Sequence, residues 1–282
     1  YVPPELVDEM SEDPQAYIHG ADSREMSVLF SDIRGFTTLS ENLSADDLSE
    51  LMNLYLTPMT RIIHENRGTI DKYMGDAIMA FWGAPLHDPD HARHAIRSGL
   101  AMLERLKGIQ DVFQDRGWPE IHIGVGINTG VMSVGDMGSE FRMAYTVLGD
   151  AVNLGSRLEG LTKTYGVEII VGEDTRKAVE DYVYRELDLV RVKGKDKPVA
   201  IYEPVALPEE MSEEELEEIG MFDQCLQQFR AQDWGAAESG LKVLQKRNPD
   251  SLLYSIYLER ITLYKQDPPG ADWDGVYTHK TK

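Results

Sequence analysis

This sequence of 282 residues holds a single cysteine, Cys225. One thiol excludes an intrachain disulfide and suits a reducing compartment. No apolar run approaches the roughly 20 residues that a membrane-spanning helix needs, and no signal peptide opens the chain. Basic residues are scarce. Lys and Arg number 28 against 49 Asp and Glu, a net charge of −21. That balance argues against nucleic acid as a partner, because the proteins that bind it present basic faces. It also argues against adsorption to anionic lipid. No Gly-x-x-x-x-Gly-Lys-Ser/Thr stretch occurs, so a P-loop nucleotide site is excluded. The chain starts at Tyr1 without an initiator Met. We therefore expect an excised cytoplasmic fragment without direct membrane insertion, whose parent could carry an anchor upstream.

The residues that are present divide into three zones. Residues 1–21 are rich in Pro and acid and read as a short helix followed by a linker. Residues 22–205 alternate between strand and helix signals. A strand is expected over Glu25–Ser31. A helix follows from Ser44, with Asp46 and Asp47 in the first turn, where the helix dipole favours acids. Leu48, Leu51, Met52, Tyr55, Met59 and Ile63 give it an apolar face. Thr69–Tyr73 and Ala77–Trp82 read as a hairpin turning at Met74-Gly75-Asp76. One helix is expected over Pro89–Gln114, then separate strands over Ile121–Thr129 and Val131–Gly135. A helix over Ala151–Tyr165, a strand over Glu168–Val171 and a pair over Tyr184–Val192 and Val199–Pro204 complete the zone. The order predicts an α+β sandwich with a ferredoxin-like βαββαβ core.

Residues 206–282 open on an acidic run at Glu209–Glu218 and continue as two or more amphipathic helices. The Trp234, Ala237, Leu241, Pro249 spacing is faintly tetratricopeptide-like. A helical cap or a partner-docking appendage fits better, since one unit cannot make an array. The Pro/Gly-rich tail from Asp267 is expected to be loosely ordered.

Two aspartates carry the chemistry. Asp32 ends the apolar run Val28-Leu29-Phe30-Ser31, and Asp76 precedes the run Ala77–Trp82. Each falls where a loop at a strand edge can present it. If their strands are neighbours, the two carboxylates could hold a pair of divalent cations against a polyphosphate. The turn Ile33-Arg34-Gly35-Phe36-Thr37 offers backbone N–H groups for terminal phosphates. His87, His91 and His94 flank a helix start. No fourth ligand is apparent for them, so a zinc site is disfavoured.

The blocks Phe30-Ser31-Asp32-Ile33-Arg34-Gly35-Phe36-Thr37, Lys72-Tyr73-Met74-Gly75-Asp76, Gly124–Gly130, Tyr145–Arg157 and Val192–Lys195 resemble the class III nucleotidyl cyclases, the adenylyl and guanylyl cyclase catalytic domain, bacterial adenylyl type. The resemblance spans roughly residues 22–205. It implies a phosphorus-oxygen lyase that closes a nucleoside triphosphate on its own α-phosphate and expels pyrophosphate. It also implies two Mg²⁺ or Mn²⁺ per site, held by Asp32, Asp76 and the Ile33 carbonyl. Asn153 would orient the ribose, and Arg157 would stabilise charge on the α-phosphate. Phe36 and Thr37 belong to the phosphate turn. Lys193 would bind the outer phosphates, with Arg142 and Lys195 as lesser candidates. Lys72 and Thr146 occupy positions like the adenine-recognising pair, which implies ATP and cyclic AMP. Thr at 146 marks a subgroup similar to bicarbonate-responsive cyclases, so stimulation by bicarbonate is implied as well.

In the family the metal residues of one domain face the base-binding residues of another. This chain carries both sets, so a head-to-tail homodimer is expected. A regulatory partner for the C-terminal helices stays open. The alternatives are a guanylyl cyclase, disfavoured by Lys72 and Thr146, and a silent domain, disfavoured by the complete residue set.

Overall fold

The structure, a computed structural model, describes residues 22–191, 197–270 and 272–278. The expected N-terminal helix lies outside that range. Strand β1 (Asp22–Ile33) is the spine. Its side chains alternate across the sheet as the pleat requires. Leu29 and Ile33 enter one apolar cluster, while Met26 and Val28 enter another on the opposite face. Antiparallel partners flank it. Strand β3 (Ala77–Trp82) pairs on one side, with Ser31 opposite Ile78, and β4 (Ile123–Ser139) pairs on the other. Strand β2 (Thr69–Met74) forms a hairpin with β3.

The order β2-β3-β1-β4, with helices between β1 and β2 and between β3 and β4, is the ferredoxin-like core. The sheet continues through β6 (Ile169–Gly172), parallel to β4, then β8 (Val199–Ala206), β7 (Val183–Arg191) and the short β9 (Tyr277–Thr278). Strand β5 (Arg142–Leu148) branches off as a hairpin partner of β4.

On the first face lie α1 (Phe36–Asn42), α2 (Ala45–Glu65), α3 (His91–Lys107) and α4 (Gln110–Asp115). Ser44 caps α2 as expected, its hydroxyl accepting from the Asp47 N–H at 3.1 Å. The buried face of α2 (Leu51, Tyr55, Met59, Ile63) follows helical spacing. Helix α5 (Asp150–Tyr165) covers the second face, and α6 (Glu173–Ala178) follows β6. A Cβ on Gly126 of β4 would stand only 2.1 Å from the Glu159 nitrogen, so α5 reaches the sheet at a point where only glycine fits.

Several boundaries differ from the sequence expectation. The helix expected over Pro89–Gln114 is two, because Gly108 closes α3. Strand β4 runs unbroken through Gly130, which pairs with Met26 in the ladder instead of turning the chain. Strand β5 and the short helices α1 and α6 had no periodic run long enough to mark them.

Helices α7 (Glu213–Arg230), α8 (Trp234–Arg247) and α9 (Leu252–Gln266) form the C-terminal extension. Phe222, Phe229, Leu241, Tyr254 and Tyr257 of this extension share one apolar cluster with Leu154, Leu158 and Tyr165 of α5. Helix α5 thus has the sheet on one side and the extension on the other. The described residues of the tail pack on the fold despite their Pro/Gly content. Trp273 packs against Phe229, Trp234 and Tyr264, and Tyr277 pairs with Val190. Two aromatic anchors outweigh the composition.

Candidate active site

Because β1 and β3 are direct neighbours, Asp32 and Asp76 arrive at the same sheet end. Gly75 turns the hairpin with φ 71°, a left-handed conformation that side chains resist, and so delivers Asp76. The Asp76 Oδ2 accepts from the Ile33 N–H at 3.0 Å and is buried. Asp32 is half-buried beside it. Its carboxyl is pushed up to about 7, first by desolvation, then by the hydrogen bond and charge of Asp76, and further by Glu159. Tyr55 Oη and Ser31 Oγ lie buried close to each other, and burial first, then the charges of both aspartates, push the Tyr55 hydroxyl up.

Two adjacent carboxylates with only oxygen donors fit a hard cation such as Mg²⁺ or Mn²⁺. Among the described residues no three His, Cys, Asp or Glu side chains converge on one point. Mg²⁺ characteristically takes one or two carboxylates and completes its shell with water and substrate phosphate, so a pair is sufficient. Sequence reasoning missed Glu159. It lies two residues after Arg157 on α5, and burial pushes it up to about 7 while Arg34 pulls it down. Its only sequence signal was the absence of side chains at Gly124 and Gly126, which it packs against.

The two base-pocket candidates are joined by a third residue, also missed. Asp71 accepts from the Thr146 hydroxyl at 2.5 Å and from the Val147 N–H at 3.4 Å. Its other oxygen pairs with Lys72 Nζ at 3.1 Å. Asn153 and Arg157 lie one turn apart on α5, the first exposed and the second half-buried. Neither side chain makes a hydrogen bond or ion pair among the described residues. Phe36 is half-buried against the first cluster, and Thr37 is exposed beside it. Arg142 lies at the exposed tip of the β4–β5 hairpin, opposite Ser139, four residues from Thr146. Lys193 and Lys195 lie outside the described residues.

Two of the three histidines have partners of their own. His91 Nδ1 is 2.9 Å from Ser27 Oγ, and His94 Nδ1 is 2.7 Å from Asp88. A cleft of about 790 Å³ beside α3 and β8 is lined by none of the candidate residues.

A family model for the adenylate and guanylate cyclase catalytic domain matches residues 19–202. The chain belongs to this family. Adenylate cyclase 1 of Rhizobium meliloti is 36% identical over 208 residues, covering 73% of this chain and 31% of that protein. The adenylate cyclase of Anabaena cylindrica is 39% identical over 198 residues, covering 66% of this chain and 38% of its own. This cyclase domain thus spans about a third of the length of these curated relatives. Among solved structures, the adenylyl cyclase CyaB from P. aeruginosa superposes with a TM-score of 0.63 at 36% identity, covering 68% of this chain and 100% of that one. The guanylyl cyclase Cya2 gives 0.61 at 34% identity, covering 67% and 96%. Both specificities therefore occur at similar distance, and the base pocket has to decide between them. The family match ends before α7, so the C-terminal helices lie beyond it.

Proposed function

We propose that this cyclase domain converts ATP to 3′,5′-cyclic AMP and pyrophosphate, acting as a head-to-tail homodimer with shared sites. The observation that carries the reading is the Asp32–Asp76 pair: two carboxylates pressed together at a sheet end, where burial first and Asp76 second push Asp32 up to about 7. Two divalent cations, Mg²⁺ or Mn²⁺, fit the oxygen donors of Asp32, Asp76 and the Ile33 carbonyl. When bound, they would neutralise the triphosphate and make the ribose 3′-hydroxyl more acidic.

The chain's own residues supply the rest. Lys72 donates to adenine N1, and Thr146 accepts from the exocyclic amine. Asn153 orients the ribose so that its 3′-oxygen lines up behind the α-phosphorus. The 3′-oxygen forms a bond to that phosphorus and gives its proton to solvent water. The bond to the bridging oxygen breaks, and its electron pair leaves with pyrophosphate. Arg157 stabilises the charge that develops at the α-phosphate. Lys193 and the Phe36–Thr37 turn hold the outer phosphates, with Arg142 as a lesser contact. Two curated relatives at 36% and 39% identity are named adenylate cyclases, which supports the adenine assignment. The extension after residue 206 serves this domain as a helical cap packed on α5, not as a repeat array, with any regulatory partner meeting its outer face.

Thr37, Lys72, Arg142 and Asn153 are exposed, while Asp76 and Thr146 are buried and Asp32 and Arg157 half-buried. The test is product analysis with an equimolar mixture of ATP and GTP in Mn²⁺ or Mg²⁺, over a protein dilution series. Cyclic AMP with specific activity falling on dilution is the expected result. Mixing Asp32→Ala with Asn153→Ala chains should restore activity, because one site of the heterodimer is then intact. Cyclic GMP as main product, or a mixture as inactive as its parents, overturns the adenine or the shared-site part respectively.

A further inference from the structure

A threonine hydroxyl by itself cannot tell adenine from guanine. It donates or accepts as its rotor turns, so it can meet the adenine amine or the guanine carbonyl equally well. Thr146 therefore needs something that fixes its hydrogen, and Asp71 is placed to do so. The Asp71 side chain is 1% exposed. Its carboxylate can only accept, and it takes the Thr146 hydroxyl hydrogen at 2.5 Å and the Val147 N–H at 3.4 Å with one oxygen. With the other it holds Lys72 Nζ at 3.1 Å.

The backbone is built for this. Ile70 pairs with Ala80 and Lys72 with Met79, so Asp71 is the extra residue of a β-bulge in β2. Regular alternation would send residues 71 and 72 to opposite faces. The bulge re-aims the side chain, and Asp71 and Lys72 meet over β5.

We infer that Asp71 is a specificity-positioning residue: it sets Thr146 as an acceptor and Lys72 as a donor, and so selects adenine over guanine. This deepens the adenylyl reading above and rests on it. With its hydrogen committed, Thr146 presents lone pairs alone. Their complement is the adenine exocyclic amine, while Lys72 faces the N1 acceptor. Guanine offers a carbonyl and an N–H at these two places, so both contacts become repulsive. A site with polarity fixed in advance rejects the mismatched base because its polar groups would be left unpaired.

The test separates binding from turnover by using 3′-deoxy-ATP and 3′-deoxy-GTP, which lack the attacking hydroxyl. Competition binding to the full chain yields the ratio of the two affinities. The unaltered protein prefers 3′-deoxy-ATP. In Asp71→Ala the ratio falls by roughly tenfold or more, with weaker adenine binding and gained guanine binding. Asp71→Asn keeps an acceptor for Thr146, so it retains most of the ratio while losing affinity as Lys72 loosens. If Asp71→Ala fails to fold by circular dichroism, Asp71→Ser takes its place. Its small hydroxyl can donate to Thr146 and is expected to lower the ratio equally. In a Thr146→Val background the ratio no longer responds to Asp71. Folded Asp71→Ala or Asp71→Ser with the parental ratio overturns the inference, and so does a parental preference for 3′-deoxy-GTP. The cyclase reading fails separately, if the parent forms no cyclic nucleotide from intact ATP.

Discussion

Asp32 and Asp188 are aspartates of the same sheet, kept in different company. Asp188, 2% exposed, accepts from Arg260 at 2.6 Å and from the Tyr165 hydroxyl at 2.6 Å. Arg260 in turn lies over the rings of Tyr257 and Tyr277, and its charged form is strongly favoured by Asp188. Each charge there has its counterpart inside the chain. Asp32 faces a second carboxylate and, beyond it, Glu159, and burial with that like charge drives its carboxyl up to about 7. The Asp188 cluster ties the extension to the last residue of α5 and serves the fold. The Asp32 cluster is left short of positive charge, which a ligand can supply. A fold tolerates such a deficit at few places, and functional sites are where it does so.

The largest expected effect breaks the deficit. Asp32→Asn or Asp76→Asn should lower cyclic nucleotide formation by on the order of a thousandfold, measured at saturating Mn²⁺. Next comes the compensated cluster. Arg260→Met leaves Asp188 buried without its cation, at a cost of about 3–5 kcal/mol, read as a lower denaturant midpoint. Replacing both partners, Arg260→Met with Asp188→Leu, should recover most of that loss. A parental midpoint in the single variant would show that the cluster bears no such charge.

A smaller effect comes from pH. The fold binds the Asp32 proton more tightly than the unfolded chain does. Metal-free stability from this group is therefore fully present only below about pH 4 and is lost as pH rises from there through about 7. Glu159 acts in the same direction. Since a cation must displace that proton, apparent Mn²⁺ affinity should rise with pH up to about 7 and then level off, as titrations at several pH values would show. The smallest effect lies on the exposed surface. Glu238 is paired with Lys242 and Lys265 in water, and Glu238→Gln should leave the melting temperature unchanged within error.

The two clusters also differ in how far the sequence announced them. Asp32 and Asp76 were legible because each follows or precedes a clear apolar run, and the hairpin between Thr69 and Trp82 could be read from its turn. The capped helix after Ser44 and the ferredoxin-like order were legible for the same reason. Asp71 was not, because a bulge is invisible to period-two reasoning and reverses the face that alternation assigns. Glu159 was hidden among helix residues, its role depending on glycines of a distant strand. Asp188 and Arg260 are 72 residues apart, and nothing local links them. Strand β5 was obscured by a motif that was read for its chemistry and not for its pairing.

The most direct test of the account places the two aspartates side by side. Asp32→Asn and Asp188→Asn would each be measured for metal-free melting temperature at pH 8 and for cyclic nucleotide formation. The account predicts that Asp32→Asn melts at or above the parental temperature while losing activity, because it removes an uncompensated charge. Asp188→Asn should melt lower. An Asp32→Asn protein that melts well below the parent, or that keeps its activity, would contradict it.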